Sequence, residues 1–381
     1  MQVYKNKKDC CGCTACYNAC GVNAIEMKAD EKGFLYPVVN QAKCVNCGKC
    51  KNVCPFSESY KINKTEPDIY AFKNKDDDVR EESSSGGVFQ AIAQYIILKD
   101  GIVVGVETDD KFIVKHSVAD NMDDVKKFSG SKYVQSDLGR VFADIRKFLE
   151  NGRYVLFSGT PCQVAGLKSY LGKDYETLYT VDFICHGVPS PLMWKHFIDG
   201  IKKQYEGIEA VVCRDTAKWG THITKVILRD GIVKHTDDYI QMFLSNCAIR
   251  KSCFECKFTS CDRVGDFTMA DYWGLKNCFP EFYDTKGASV LFFNTDKSKK
   301  LFDVLNEAGH MIKSDITKVL PYQPQLVSPI RKTRICTTFW KDYKKRGYEF
   351  VFKKYIIKKH GRRLKFAVAR YISKIRKGIR R

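Results

Sequence analysis

The chain has 381 residues with 44% apolar content, enough for two or three units with ordinary cores. It has no apolar run of the roughly 18 residues that a bilayer crossing needs, so a membrane-spanning protein is excluded. The net charge of +20 suggests nucleic acid until it is located: 17 of the 64 Lys and Arg fall between Lys341 and Arg381 against two acids, so the tail carries +15 and the other 340 residues +5. Outside the tail the basic groups are scattered among acids, as on a solvated surface, and no nucleic-acid partner is expected.

The opening MQVYKNKKDC has lysines with no apolar stretch behind them, which is no secretory signature. It runs into CCGCTACYNACG, where Cys10, Cys13, Cys16 and Cys20 are spaced C-x2-C-x2-C-x3-C and Cys11 is a spare. Loops of two or three residues close poorly as disulfides, which favours metal. The spacing returns at Cys44, Cys47, Cys50 and Cys54, followed by Pro55 where Gly21 follows the first run. Between them AIEMKADEKGFLYPVV predicts two short strands around a Glu-Lys-Gly turn. The duplicated run resembles two-cluster bacterial ferredoxins. That resemblance implies crossed ligation of two 4Fe-4S clusters, Cys10, Cys13 and Cys16 with Cys54, and Cys44, Cys47 and Cys50 with Cys20. A pair of structural zinc knots is the alternative on spacing. Thiolate-held clusters imply a reducing compartment, so a cytoplasmic protein is expected.

After Pro55, FSESYKINKTEPD is polar and aperiodic and is expected to be a linker. A strand IYAFK follows, then a Ser/Gly loop, Ser83 to Gly87, at the start of a helix with Val88, Ile92, Tyr95 and Ile96 on one side. Free backbone N–H groups at a helix start suit phosphate, and such a loop also serves as a plain cap. From Arg153 to Phe197 the pattern is strand, helix, strand, helix. Thr160, Pro161 and Gln163 form the start of one helix, Ser190 and Pro191 that of the next. Two strands joined through a helix run parallel, which puts Cys162 and Cys185 at carboxyl ends on one rim of a sheet, where ligands bind in open α/β folds. Farther on, Cys253 and Cys256 form a C-x2-C pair flanked by Cys247 and Cys261, a zinc or third iron-sulfur site on spacing. Cys213, Cys278 and Cys336 have no such company and read as core thiols. From Arg362 to Ile379, Leu364, Ala367, Val368, Tyr371, Ile372, Ile375 and Ile379 recur at helical spacing among basic residues. This predicts a basic amphipathic helix, either lying on anionic membrane or packed with a solvated face.

The series SSGGVF, SKYVQS, GTPCQVAGL, FICHGVPSP and SCFECKF with DFTMADYWG resembles, in that order, the coenzyme F420 hydrogenase/dehydrogenase beta subunit family, from about Asp68 to Ile335. The family pattern commonly has glycine where Ala270 stands. The resemblance implies FAD and an iron-sulfur cluster, and electron pairs passed between flavin and a deazaflavin or other conjugated acceptor. It implies FAD against Ser84, Ser85, Gly86, Gly87, Lys132, Tyr133, Thr160, Pro161 and Gln163. A third 4Fe-4S cluster would use Cys253 and Cys256, with the rim thiols Cys162 and Cys185 as the other two and Cys247 and Cys261 in reserve. His186 and Asp266 are the candidate catalytic proton donors. The expected fold is α+β: a two-cluster ferredoxin-like domain (1–60) fused to a mixed α/β flavin and iron-sulfur domain (68–340), with a basic tail (341–381). The expected function is an iron-sulfur flavoprotein oxidoreductase. The alternative is an electron-transfer subunit of a larger redox complex, with no substrate of its own. Expected partners are a redox protein or a small conjugated acceptor and, through the tail, an anionic membrane surface.

Overall fold

The computed structural model describes residues 2–57, 60, 62, 64–215, 219–220 and 222–357. Its thirteen strands are β1 (Ile25–Ala29), β2 (Leu35–Val39), β3 (Asp68–Asn74), β4 (Ile102–Thr108), β5 (Val114–Ala119), β6 (Val155–Ser158), β7 (Leu178–Phe183), β8 (Ile208–Val212), β9 (Thr224–Leu228), β10 (Val233–Thr236), β11 (Phe267–Asp271), β12 (Ser289–Phe293) and β13 (Gly309–Ser314).

Eight of them form one mixed sheet in the order β13-β3-β12-β11-β7-β6-β4-β5. The four central strands β4, β6, β7 and β11 are parallel, and the outer ones antiparallel. Alternation along β4 explains the two covered faces. Ile102 and Val104 point into a core with the helices Val141–Glu150 and Pro161–Leu171, while Val103 points into one with the helix Val88–Leu98. A separate antiparallel sheet, β10-β9-β8, packs with the helices Pro191–Gln204 and Asp238–Leu244.

The hairpin β1-β2 pairs Ile25 with Val39 and Ala29 with Leu35, as its sequence predicts. The unit around it does not stand apart from the large sheet. Cys11, Cys13 and Ala15 are buried in the core of the helix Pro161–Leu171. A Cβ on Gly166 of that helix would come within 2.8 Å of Cys13 Sγ, so glycine admits the cysteine loop. The polar composition of the linker hides three anchors, Phe56, Tyr60 and Ile62, which pack on the same core; the Phe56 and Phe258 rings are 5.7 Å apart.

At the other end, the helical stretch Arg334–Val351, kinked at Gly347 (φ +74°), crosses residue 341, where the charge pattern begins the tail. Its Phe339 and Val351, with Ile356 beyond, are buried against the smaller sheet. Charge marks the solvated face of this helix and says nothing of its spaced aromatics. The amphipathic repeat from Leu364 to Ile379 lies outside the described residues. Among the described residues no helix is long and apolar enough to cross a membrane.

Candidate functional site

The carboxyl ends of β4, β6, β7 and β11 open on one rim. Gly105, Ser158, Phe183 and Asp271 from those ends line a cavity of about 300 Å3. The Ser/Gly loop closes one side. Gly87 takes φ +76° to start the helix Val88–Leu98, whose first turn has no side-chain cap. Gly86 is pressed so closely to β3 that a Cβ would meet Phe72 O at 2.1 Å. Ser85 Oγ donates to Ala288 O (2.7 Å), and Ser84 Oγ accepts from Ser131 N (2.8 Å). The loop is thereby tied to the stretch that carries Lys132 and Tyr133. Lys132 Nζ donates to Lys127 O (2.9 Å) and Ser129 O (2.7 Å), and burial pulls its ammonium down to about 8.

Thr160 opens the next helix as its sequence predicts, with Thr160 N donating to Gln163 Oε1 (2.9 Å). Of the nine residues expected to hold flavin, seven line the cavity: Ser84, Ser85, Gly87, Lys132, Tyr133, Thr160 and Gln163. Gly86 and Pro161 are buried behind its wall. Two buried wall atoms, Gln90 Oε1 and Gln323 Oε1, have no hydrogen-bond partner, and Val106, Phe128 and Met269 add apolar surface. An uncapped helix start, an ammonium, unpaired amide oxygens and apolar walls suit a ligand that is part phosphate and part conjugated ring.

His186 and Asp266 part company. His186 lines the cavity, and burial pulls its imidazole down against the opposing pull of Asp271. Asp266 stands at the amino end of β11, on the opposite rim. Its Oδ2 accepts from Thr180 N (2.8 Å) and Thr180 Oγ1 (2.7 Å), which clamps β11 to β7 away from the cavity. The carboxylate the cavity does have is Asp271, five positions on, fixed by Arg214 Nη1 (2.6 Å) and Trp219 Nε1 (2.8 Å). The parallel pairing of β11 with β7 puts this last residue of the strand at the ligand rim, a direction that the sequence does not mark.

Beside the cavity the rim thiols meet the C-x2-C pair. Residues 188–190 pair with 248–250 through Ser190 N to Ala248 O (2.9 Å) and Arg250 N to Val188 O (3.0 Å), which brings Cys253 and Cys256 onto the β7 turn. Burial raises the Cys185 thiol well up, and its neighbours Cys253, Cys162 and Cys256 push it further. Cys253 is pushed up to about 12, again by burial first and then by Cys162. Cys162, Cys185, Cys253 and Cys256 are therefore one group of four thiols, and Cys185 also lines the cavity. The reserve candidates are elsewhere. Cys247 hydrogen-bonds Cys336, and Cys261 packs near Leu326.

A second thiol group lies in the ferredoxin-like unit. Cys10, Cys13, Cys16 and Cys54 surround a small cavity of about 20 Å3, the crossed set of four. Cys44, Cys47 and Cys50 lie together, and Cys20 packs in one cluster with Cys50. Among the described residues no three His, Cys, Asp or Glu side chains converge as ligands of a single ion do, whereas a cube binds its four thiolates on separate irons around a shared void. Cys11, without a role in the spacing, hydrogen-bonds both Cys13 and Cys162 and so spans the two groups.

Residues 69–143 match the amino-terminal model, and residues 152–319 the carboxyl-terminal model, of the coenzyme F420 hydrogenase/dehydrogenase beta subunit, while residues 9–57 match a 4Fe-4S dicluster domain. The chain belongs to the coenzyme F420 hydrogenase/dehydrogenase beta subunit family, a family of oxidoreductases, and carries a 4Fe-4S dicluster domain ahead of the family region. It is similar to the coenzyme F420-dependent sulfite reductase of Methanocaldococcus jannaschii, with 28% identity over 228 residues. That match takes in 57% of this chain and 34% of the relative, so the chain spans about a third of that protein's length. Among solved structures it is similar to a chain of the F420-reducing nickel-iron hydrogenase complex from Methanosarcina barkeri, with TM-score 0.48 and 14% identity over 74% of this chain and 94% of that one.

Proposed function

We propose that this protein is a cytoplasmic iron-sulfur flavoprotein oxidoreductase that exchanges electrons among ferredoxin-type clusters, FAD and a deazaflavin or other conjugated organic acceptor. The observation that carries the reading is the double position of Cys185, one of four neighbouring thiols and part of the cavity wall. In this reading Cys162, Cys185, Cys253 and Cys256 hold a third 4Fe-4S cluster next to a flavin held by the Ser/Gly loop, Lys132, Tyr133 and the Thr160 turn. A bound flavin supplies the conversion between one-electron and hydride chemistry. The chain's own residues orient the ligand, exclude water through the apolar wall, and present the His186 imidazole within the cavity as the candidate proton donor.

Anaerobic assay of the purified chain against coenzyme F420, flavins, quinones and nicotinamides tests this. Turnover with at least one conjugated acceptor is expected. Electron exchange with a ferredoxin but with none of these acceptors would favour the second reading, an electron-transfer subunit. The observation favouring that reading is that the matched relative is about three times the length of the matching region, so the same module occurs there with further parts.

The basic tail is proposed to attach to anionic membrane, since each Lys or Arg near an acidic surface contributes about 1 kcal/mol. Sedimentation with phosphatidylserine vesicles should fall at least tenfold when residues 358–381 are removed. Equal partitioning of both forms would contradict it.

A further inference from the structure

Arg250 heads the largest fully buried side chains of the described residues, with none of its surface exposed. Its guanidinium donates to three oxygens, Cys10 O and Leu35 O (both 2.9 Å) and Gln135 Oε1 (2.8 Å), and lies 3.7 Å from Cys10 Sγ. It stacks over Tyr36 at 4.2 Å from the ring centre. It is pressed so tightly on Gly12 that a Cβ there would come 2.9 Å from Nη1. Gln135 continues the chain of contacts, donating from Nε2 to Cys11 O (2.8 Å). The backbone of the same residue belongs to the other thiol group, because Cys253 N donates to Arg250 O (3.1 Å).

A permanently charged group taken fully out of water is strongly unfavourable unless an opposite charge compensates it. The ionisable groups acting most strongly on this guanidinium are Cys10, Tyr36, Cys11 and Cys253, with Cys162 and Tyr4 also within its reach, and among the described residues no carboxylate forms an ion pair with it. Neutral thiols would leave the cation uncompensated. Thiolates bound to iron would not, and a 4Fe-4S cube with four thiolates is net anionic. Taking up one electron adds one negative charge to a cube, so a fixed buried cation beside it stabilises the reduced form more than the oxidised form.

We propose that Arg250 is the shared counter-cation of two clusters, positioning the Cys10 set against the Cys162 set and raising the reduction potential of both. The part concerning the second of these clusters rests on the third cluster proposed above.

The test is an anaerobic redox titration of the full chain, followed by electron paramagnetic resonance, for wild type and Arg250→Gln, Arg250→Met and Arg250→Lys, with iron content measured in each. In the two neutral variants both cubes should lose electron affinity at least tenfold, about 59 mV for a one-electron couple. The cube of Cys44, Cys47, Cys50 and Cys20 is the internal control and should not move. Arg250→Lys should stay near wild type. Neutral variants with full iron and unmoved potentials would overturn the proposal, as would an equal shift in all three cubes. If both neutral variants lose iron, the lysine variant decides: retained iron with near-wild-type potentials upholds the charge argument, and lost iron defeats it. Wild type with about eight iron atoms instead of twelve would remove the third cluster alone. The Cys10 cube must then still shift in the neutral variants, or the proposal fails by itself.

Discussion

Replacing either Cys162 or Cys185 by serine is expected to lower the iron content of the anaerobically prepared protein from about twelve atoms per chain to about eight, with a matching loss of sulfide. Serine keeps the shape of the side chain and removes the soft thiolate that iron requires. The two variants should behave alike although 23 positions separate them, because their thiols face Cys253 and Cys256 in one buried group. The Cys162 thiol is pushed up by its hydrogen bond with Cys11 and then by burial, that of Cys185 by burial, and each stays protonated until metal displaces the proton, so a missing ligand cannot be replaced by a neighbour already ionised. Cys261→Ser should leave iron unchanged, since that thiol packs near Leu326 outside the group. Full iron in both Cys162→Ser and Cys185→Ser would contradict the assignment. Loss of all twelve would show instead that the fold depends on these positions.

The second large effect concerns Lys132. Replacement by glutamine preserves much of the length and removes the charge, and FAD affinity should fall about 10- to 100-fold, the range of one charge-assisted hydrogen bond of roughly 1.5–3 kcal/mol. Burial holds this ammonium near 8, so it is charged below that pH and neutral above it. The pyrophosphate of FAD is best bound by the charged form. Wild-type affinity should therefore decline as pH rises from 7 to 9, while Lys132→Gln gives a flat profile over the same range. Equilibrium ultrafiltration of the anaerobic protein with FAD at several pH values measures both. An unchanged affinity in the variant, or a wild-type affinity that rises with pH, would place the phosphates elsewhere.

Local pattern carried much of this arrangement. The duplicated cysteine spacing contains the crossed set around the small cavity, because ligation in such loops is written in short intervals. The alternation of strand and helix from Arg153 onward fixed the parallel pair β6 and β7, and with it the common rim of Cys162 and Cys185. Contacts between distant segments left no such trace. Arg250 meets Cys10 across 240 positions, and nothing periodic marks either end of that contact. Cys11 looked surplus because its partner Cys162 belongs to another element. The three short strands β8, β9 and β10 leave little trace in the sequence: β8 alternates weakly in burial, β10 is largely exposed, and the strict alternation of β9 is hidden by the apolar run Val226, Ile227 and Leu228. Asp266 and Asp271 flank the same strand, and only the direction of β11 in the sheet tells which of them meets the cavity.

The central claim is that thiol-bound clusters and a flavin occupy neighbouring sites in this one chain. The most direct measurement is anaerobic reconstitution of the 381-residue chain with iron, sulfide and FAD, followed by stopped-flow mixing with a reduced ferredoxin. The account predicts about one FAD per chain, bleaching of its absorbance on mixing, and at least a hundredfold slower bleaching in Cys185→Ser at equal flavin content. A protein that holds its clusters and binds no FAD at large excess would contradict it, as would bleaching at an unchanged rate in Cys185→Ser.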